Sequence, residues 1–161
     1  MKEQVEKALE VIRNGGIILY PTDTIWGIGC DASNDEAVQK VFDIKKRDDS
    51  KSLIVLLDQD TKLKRYVKEV PDAAWDLIEL SNKPTTLILD GAYNMSSKVI
   101  AEDGSVGVRI CKQEFCQQLI RRMNTPLVST SANISGEPSA PNFQDVSEEI
   151  KSAVDYIVDL P

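Results

Sequence analysis

Short apolar runs alternate with amphipathic segments along this chain, and that alternation restricts its fold more than any other feature. Residues 17–20 form an apolar run that stops at Pro21, which is typical of a buried strand. A helix that ends at Gly15-Gly16 is predicted before this strand. Its apolar face repeats at helical spacing through Val5, Ala8, Leu9 and Ile12. The alternation predicts an α/β sheet covered by helices.

The remaining elements follow from the same patterns. A helix capped by Asn34 is predicted, and further helices are predicted over residues 72–80, 113–123 and 143–153. Strands are predicted over residues 53–57, 86–89, 106–110, 127–130 and 156–158. Because the region around residues 85–90 leaves room for antiparallel pairs, we expect a mixed sheet. A length of 161 residues fits a single domain.

The chain contains no histidine, which excludes several kinds of site. A Ser-His-Asp or Cys-His nucleophile is impossible, and so is a zinc site built on paired histidines. Acid–base chemistry near neutral pH would have to come from a tuned carboxylate, a lysine or the substrate itself. Cys30, Cys111 and Cys116 form no CxxC pair, so we expect buried, reduced thiols and no metal site made by the protein alone.

The composition predicts a cytoplasmic protein without membrane attachment. No apolar run approaches the ~20 residues that span a bilayer, and the first residues lack the apolar core of a signal peptide. The net charge of −7 argues against broad electrostatic binding to DNA or RNA, but it is compatible with a local basic patch.

Residues 20–24, YPTDT, are the first candidate binding segment. They follow a predicted strand, and polar groups at the carboxyl ends of strands lie where open α/β sheets bind ligands. Gly27 and Gly29 come soon after and would let a ligand approach the backbone. An ordinary proline-containing turn, in which Asp23 bonds to its own backbone, is the alternative interpretation.

Residues 45–51, KKRDDSK, are the second candidate. Cations at a helix C-terminus interact well with its dipole, and most charge runs are simply solvated. Four cations within seven residues of an acidic chain nevertheless suggest an anionic partner such as a phosphate chain.

Residues 129–136, STSANISG, are the third candidate, because a strand runs directly into several hydrogen-bonding side chains. A Ser/Thr-rich loop with Asn133 in a turn is the alternative. Arg109 ends an otherwise apolar strand and needs a carboxylate partner, which is either internal or bound. Neither a GxxxxGK[ST] nor a GxGxxG motif is present.

Taken in order, these segments resemble the YrdC/Sua5 family of threonylcarbamoyl-AMP synthases. The matching stretches are YPTDTIWGIGCDA (20–32), IKKRDDSKSLIVL (44–56), KPTTLIL (83–89), SVGVRI (105–110) and PLVSTSANISGEPS (126–139). The PTDT, KxR and SAN motifs together are quite specific. The resemblance implies a YrdC-like domain over residues 1–161: an open, twisted sheet with a concave cleft, lacking the family's further C-terminal strand.

The resemblance also implies a reaction. L-threonine, bicarbonate and ATP would give L-threonylcarbamoyl-AMP and pyrophosphate, and the product would pass to a tRNA threonylcarbamoyl transferase for the t6A modification of tRNA. Mg²⁺ would arrive with ATP. Such a transfer depends on positioning and charge neutralisation rather than on a side-chain nucleophile.

Residue roles follow from the matching motifs. The resemblance assigns threonine binding to Thr24, Arg109 and Ser131. It assigns nucleotide binding to Lys45, Arg47, Lys51, Ser105, Asn133 and Ser139, with Lys45 and Arg47 as the catalytic pair. Asp48 and Ser52 depart from the family's usual prolines.

Two other functions remain open from the sequence. The chain could be a family-like module that binds tRNA or double-stranded RNA through a local basic patch. It could also be a related carbamoyl or adenylyl transferase with a different acceptor.

Overall fold

The computed structural model describes residues 1–46 and 53–160. In chain order the elements are α1 (Lys2–Arg13), β1 (Ile18–Pro21), β2 (Trp26–Gly29), α2 (Asp35–Lys45), β3 (Ile54–Leu57), α3 (Asp72–Leu80), β4 (Thr86–Leu89), β5 (Val106–Ile110), α4 (Glu114–Met123), β6 (Leu127–Ser131), α5 (Glu148–Ala153) and β7 (Tyr156–Ile157). Turns of 3-10 helix occupy Asp60–Arg65 and Phe143–Asp145. In the described part of the chain, no helix has the length and apolar character needed to cross a membrane.

The seven strands form one sheet in the order β4-β5-β3-β6-β2-β1-β7. The pairs β3–β5 and β1–β7 are parallel. The pairs β1–β2, β2–β6, β3–β6 and β4–β5 are antiparallel. The predicted mixed α/β sheet is therefore confirmed.

Both faces of the sheet carry apolar side chains under helices, because side chains alternate between the faces along each strand. On the first face the sheet contributes Leu19, Ile28, Val55, Val108 and Val128, which belong to one core with Val38, Val41 and Phe42 of α2. On the second face the sheet contributes Ile18, Tyr20, Leu56 and Leu127, which belong to another core with Leu9 and Ile12 of α1 and Phe115 and Leu119 of α4.

The second face is only partly covered by helices. Ile54 lies two residues before the covered Leu56 and pairs with Gly107 on one side and Ser129 on the other. Gly27 pairs with Ser131 farther along the sheet. These residues share the second face but lie beyond α1 and α4, so this part of the second face is left uncovered by those two helices.

Two segments differ from the sequence prediction. Residues 26–29 form strand β2, which is not among the predicted strands. The predicted helix over residues 143–153 is interrupted, because the Ser147 side chain accepts the Ile150 N–H at 3.3 Å and starts α5 as a separate helix.

The glycine at position 29 is required by close packing rather than by a ligand. A Cβ at this position would lie 2.1 Å from the Val128 carbonyl oxygen and 2.9 Å from Cε1 of Tyr20. Neither neighbour can move away easily, since one is strand backbone and the other is a fully buried ring. Gly29 therefore allows β2 to pack beside β6 and over Tyr20.

We expect Gly29→Ala to lower the free energy of unfolding by about 3 kcal/mol or more, because it overpacks a filled core. Gly136→Ala is the matched control. Gly136 has a φ of 92°, and a Cβ added there would meet no atom within 4 Å. Alanine at that position should therefore cost only the backbone strain of about 1–2 kcal/mol. Urea unfolding of the two variants measures both values, and equal losses would contradict the packing argument.

Candidate functional site

An open pocket of about 410 Å³ lies where the β1–β2 loop, β3, β5 and β6 meet on the second face of the sheet. Its lining is Thr22, Thr24, Ile25, Gly27, Ile54, Arg109, Ser129, Thr130 and Ser131. One cation and several hydroxyl groups line this pocket.

Arg109 is the cation of the pocket. It lies in β5 among Val106, Gly107, Val108 and Ile110, and it is only 8% exposed. Its Nη2 is 3.0 Å from Oδ1 of Asp23. Neither that oxygen nor the Arg109 Nε makes a hydrogen bond within the described chain. The partner that the sequence required is thus an internal carboxylate, and the guanidinium retains hydrogen-bonding capacity.

The β1–β2 loop is shaped by Thr22. Its hydroxyl donates to the Ile25 carbonyl at 2.7 Å and accepts the Thr24 N–H at 3.1 Å. The Thr24 hydroxyl lies 3.1 Å from the Thr22 hydroxyl and is exposed at the pocket. The turn bonds expected of Asp23 are therefore made by Thr22, and Asp23 faces Arg109 instead.

Lys45 lies beneath the pocket rather than in its lining. It is 2% exposed, and its Nζ donates to the Ser131 carbonyl at 2.8 Å and to the Ser131 hydroxyl at 3.3 Å. The Ser135 N–H in turn donates to the Lys45 carbonyl at 3.1 Å. These bonds join the end of α2 to the end of β6. Arg47 and Lys51, the other two predicted phosphate-binding cations, lie outside the described residues.

Ser105 belongs to a second pocket, of about 520 Å³, on the other side of Ile54. Its hydroxyl and its N–H both donate to Oδ1 of Asp103, at 2.6 and 2.9 Å. The floor of this pocket is apolar and includes Ile88, Val99 and Gly107. Because Ile54 lines both pockets, the predicted threonine and nucleotide residues border adjoining spaces.

Like Lys45, the predicted residues Asn133 and Ser139 lie outside the lining of both pockets. The Asn133 Nδ2 donates to the carbonyls of Ile134 and Glu137, whereas its buried Oδ1 has no partner among the residues described. Ser139 is exposed on the following loop.

Ser129, the first residue of the third candidate segment, lines the first pocket, although the family resemblance assigns it no individual role. It is 6% exposed in β6 and lies two residues before Ser131. Residues two apart on a strand point to the same face, so its spacing from Ser131 is the signal that could have given it an individual role.

Two buried thiols lie behind the pocket. Cys111 and Cys116 are both fully buried, and the Cys116 thiol donates to the Pro21 carbonyl at 3.7 Å. The hydrogen bond with Cys111 and the complete burial raise the pKa of Cys116. This thiol is therefore neutral near pH 7. Within residues 1–46 and 53–160, no group of three or more acidic or cysteine side chains could hold a metal ion.

A buried arginine facing a hydroxyl-lined pocket on an open α/β sheet is suited to a small anionic ligand, because a guanidinium binds carboxylate or phosphate groups. The Sua5/YciO/YrdC family model, described as "Telomere recombination", matches residues 10–161. The chain belongs to this family.

Individual relatives agree with this assignment. The chain is 34% identical to a threonylcarbamoyl-AMP synthase of Stenotrophomonas maltophilia, over 99% of this chain and 88% of the relative. The crystal structure of P. abyssi Sua5 complexed with L-threonine matches with a TM-score of 0.89 at 29% identity, over 96% of this chain. This chain spans about half of that protein, 46%. E. coli YciO, at 24% identity and a TM-score of 0.84, shares the fold over 98% of this chain and 77% of YciO.

We expect Lys45→Met to destabilise the protein by about 1.5–3 kcal/mol, because it removes charged hydrogen bonds to Ser131 from a buried position. Lys46→Met is the neighbouring control. Lys46 pairs with Glu149 at 2.8 Å, but both side chains are more than half exposed, so the control should change stability little. Thermal and urea unfolding test the comparison, and similar effects of the two variants would refute it.

Proposed function

We propose that this chain is a threonylcarbamoyl-AMP synthase, a nucleotidyltransferase that uses L-threonine, bicarbonate and ATP and releases pyrophosphate. The observation that carries the proposal is the buried Arg109 facing a hydroxyl-lined pocket. The chain's 34% identity to a threonylcarbamoyl-AMP synthase and its similarity to the L-threonine complex of P. abyssi Sua5 support it.

The first pocket would hold threonine. Arg109 would bind the α-carboxylate, because a guanidinium presents several donors in a planar fork. Thr24, Ser129 and Ser131 supply hydroxyls that can donate to or accept from the threonine hydroxyl and amine.

The nucleotide would occupy the adjoining space. The second pocket has an apolar floor suited to a base and places Ser105 at its edge. Arg47 and Lys51 would neutralise the phosphates directly, whereas Lys45 would add positive charge from beneath Ser131. The loop with Asn133 and Ser139 would contact the nucleotide. Mg²⁺ would be bound as part of the ATP substrate and would neutralise charge on the departing pyrophosphate.

The reaction needs no protein nucleophile. The threonine amine and bicarbonate form a carbamate with loss of water. A carbamate oxygen then attacks the α-phosphorus of ATP, the bond to the β-phosphate oxygen breaks, and pyrophosphate leaves. Holding the two substrates on either side of Ile54 would provide the alignment that this transfer requires.

The product would be consumed by a tRNA threonylcarbamoyl transferase in t6A modification. We propose a cytoplasmic location. A contact with tRNA would use the cations that follow α2. A transferase with another acceptor would be distinguished by its preferred amino acid.

Threonine selectivity tests the first pocket. We expect pyrophosphate release with threonine, weaker release with serine, and almost none with valine. A site that hydrogen-bonds a substrate hydroxyl can reject an analogue without it by up to ~10⁴-fold in kcat/KM. Equal rates with threonine and valine would show that the hydroxyl is not recognised, and a preference for another amino acid would identify a different acceptor.

Arg109→Lys should greatly reduce pyrophosphate release in the same assay, because a point charge cannot replace a planar fork. Unfolding of this variant should be measured alongside, so that loss of the fold is recognised. Full activity of Arg109→Lys would mean that the arginine has only a structural role.

ATP affinity tests the basic segment. Calorimetric titration of Arg47→Ala should show a loss of about 1.5–3 kcal/mol in ATP binding, the contribution of a charge-assisted contact. Lys46→Ala is the control, because Lys46 is directed to Glu149 on the surface. Unchanged ATP affinity in Arg47→Ala would contradict the phosphate assignment.

A further inference from the structure

The ion pair between Asp23 and Arg109 is incomplete in its hydrogen bonding. The side chains are only 15% and 9% exposed, and their nearest atoms are 3.0 Å apart. Yet Oδ1 of Asp23 and Nε of Arg109 are both buried without a hydrogen-bond partner among the described residues. Asp23 therefore supplies a countercharge without saturating the donors of the guanidinium.

Asp23 itself stands outside the pocket lining, in contrast to its neighbours Thr22 and Thr24. It is held there by a short loop. The Thr22 N–H and hydroxyl both donate to the Ile25 carbonyl, at 3.2 and 2.7 Å, and Pro21 pairs with Trp26 across the two strands. A loop fixed at both ends restricts where the Asp23 carboxylate can lie.

The surroundings of the pair strengthen its attraction. The fully buried Cys116 contacts the Pro21 carbonyl at the base of the same loop, and Cys111 comes two residues after Arg109. Charges attract more strongly in such a low-dielectric region than at the surface. Since the Cys116 thiol stays neutral, it does not compete with Asp23 as an anion for Arg109.

We propose that Asp23 is a positioning residue, which aims the Arg109 guanidinium at the substrate carboxylate while remaining outside the pocket. The identity of that carboxylate as threonine's rests on the proposed function. The pairing of Asp23 with Arg109 is independent of it. Asp23 stabilises a cation within an apolar strand, and its incomplete hydrogen bonding leaves donors of Arg109 for the ligand.

The first experiment needs no ligand. The Arg109 Nε–H can be observed by ¹⁵N NMR and assigned by its disappearance in Arg109→Lys. We expect Asp23→Asn, which keeps the side-chain size but removes the charge, to shift this signal and to lower its protection from solvent exchange. Asp23→Glu should restore part of the protection. Glu6→Gln is the matched control, because it breaks the exposed Glu6–Arg122 pair on α1 and α4, and it should leave the signal unchanged.

The second experiment is calorimetric titration with L-threonine and, separately, with ATP. Asp23→Asn should weaken threonine binding about ten-fold or more, since misplacing a binding group by a small distance is costly. ATP affinity should stay within about two-fold of the wild type, because Asp23 acts through Arg109, which lines only the first pocket. Asp23→Glu should bind threonine with intermediate affinity.

An Arg109 signal and a threonine affinity that are both unchanged in Asp23→Asn would overturn the proposal. So would equal losses of threonine and ATP affinity, which would indicate a general disturbance of the fold. If Asp23→Asn does not fold, Asp23→Glu tests the proposal instead. It keeps the negative charge but moves the carboxylate, so the chemical shift of the Arg109 Nε–H signal should still change. Absence of threonine binding in the wild type would reject the proposed function, whereas the ligand-free NMR comparison would still decide the role of Asp23.

Discussion

A buried guanidinium within an apolar strand is the constraint on which the rest of the cleft depends. Arg109 lies where helices α1 and α4 cease to cover the sheet, so its charge faces a pocket on one side and protein on the other. Placing a charge in such surroundings is costly unless a countercharge is close. The β1–β2 loop meets this need with Asp23 and, through Thr22 and Thr24, also supplies part of the pocket wall.

The sequence predicts well those elements whose residues either interact with residues close in the chain or pack into an apolar core that accepts any apolar side chain of similar size. The apolar runs of β1 and β3 and the amphipathic face of α2 are of this kind. Strand β2 escapes prediction because its two glycines lower strand propensity, and the reason for Gly29 lies in the distant Val128 and Tyr20. The long predicted helix is wrong at Ser147, since a capping side chain there competes with helix continuation.

In the candidate site, too, the residues within local motifs are predictable, whereas the contacts between distant parts of the chain are not. The three residues that the resemblance assigns to threonine, Thr24, Arg109 and Ser131, line one pocket. Ser105, which it assigns to the nucleotide, lines the adjoining one. The sequence could not show that Asp23 pairs with Arg109, because a carboxylate in a turn has a satisfactory local explanation and its true partner is distant in the chain. Nor could it show that Lys45 lies beneath Ser131, since that contact depends on how the end of α2 meets β6.

Ile54 lines both pockets, so its side chain would separate any two ligands that occupy them. A single branched side chain can be pushed from either side, and its packing against Gly107 leaves little slack, since a Cβ on that glycine would lie 2.9 Å from the Ile54 Cγ2. Displacement by one occupant would alter the space left for the other. Linkage requires any such effect on affinity to be equal in both directions. The order in which two ligands enter would then change the path of assembly but leave the total free energy of the two filled pockets the same.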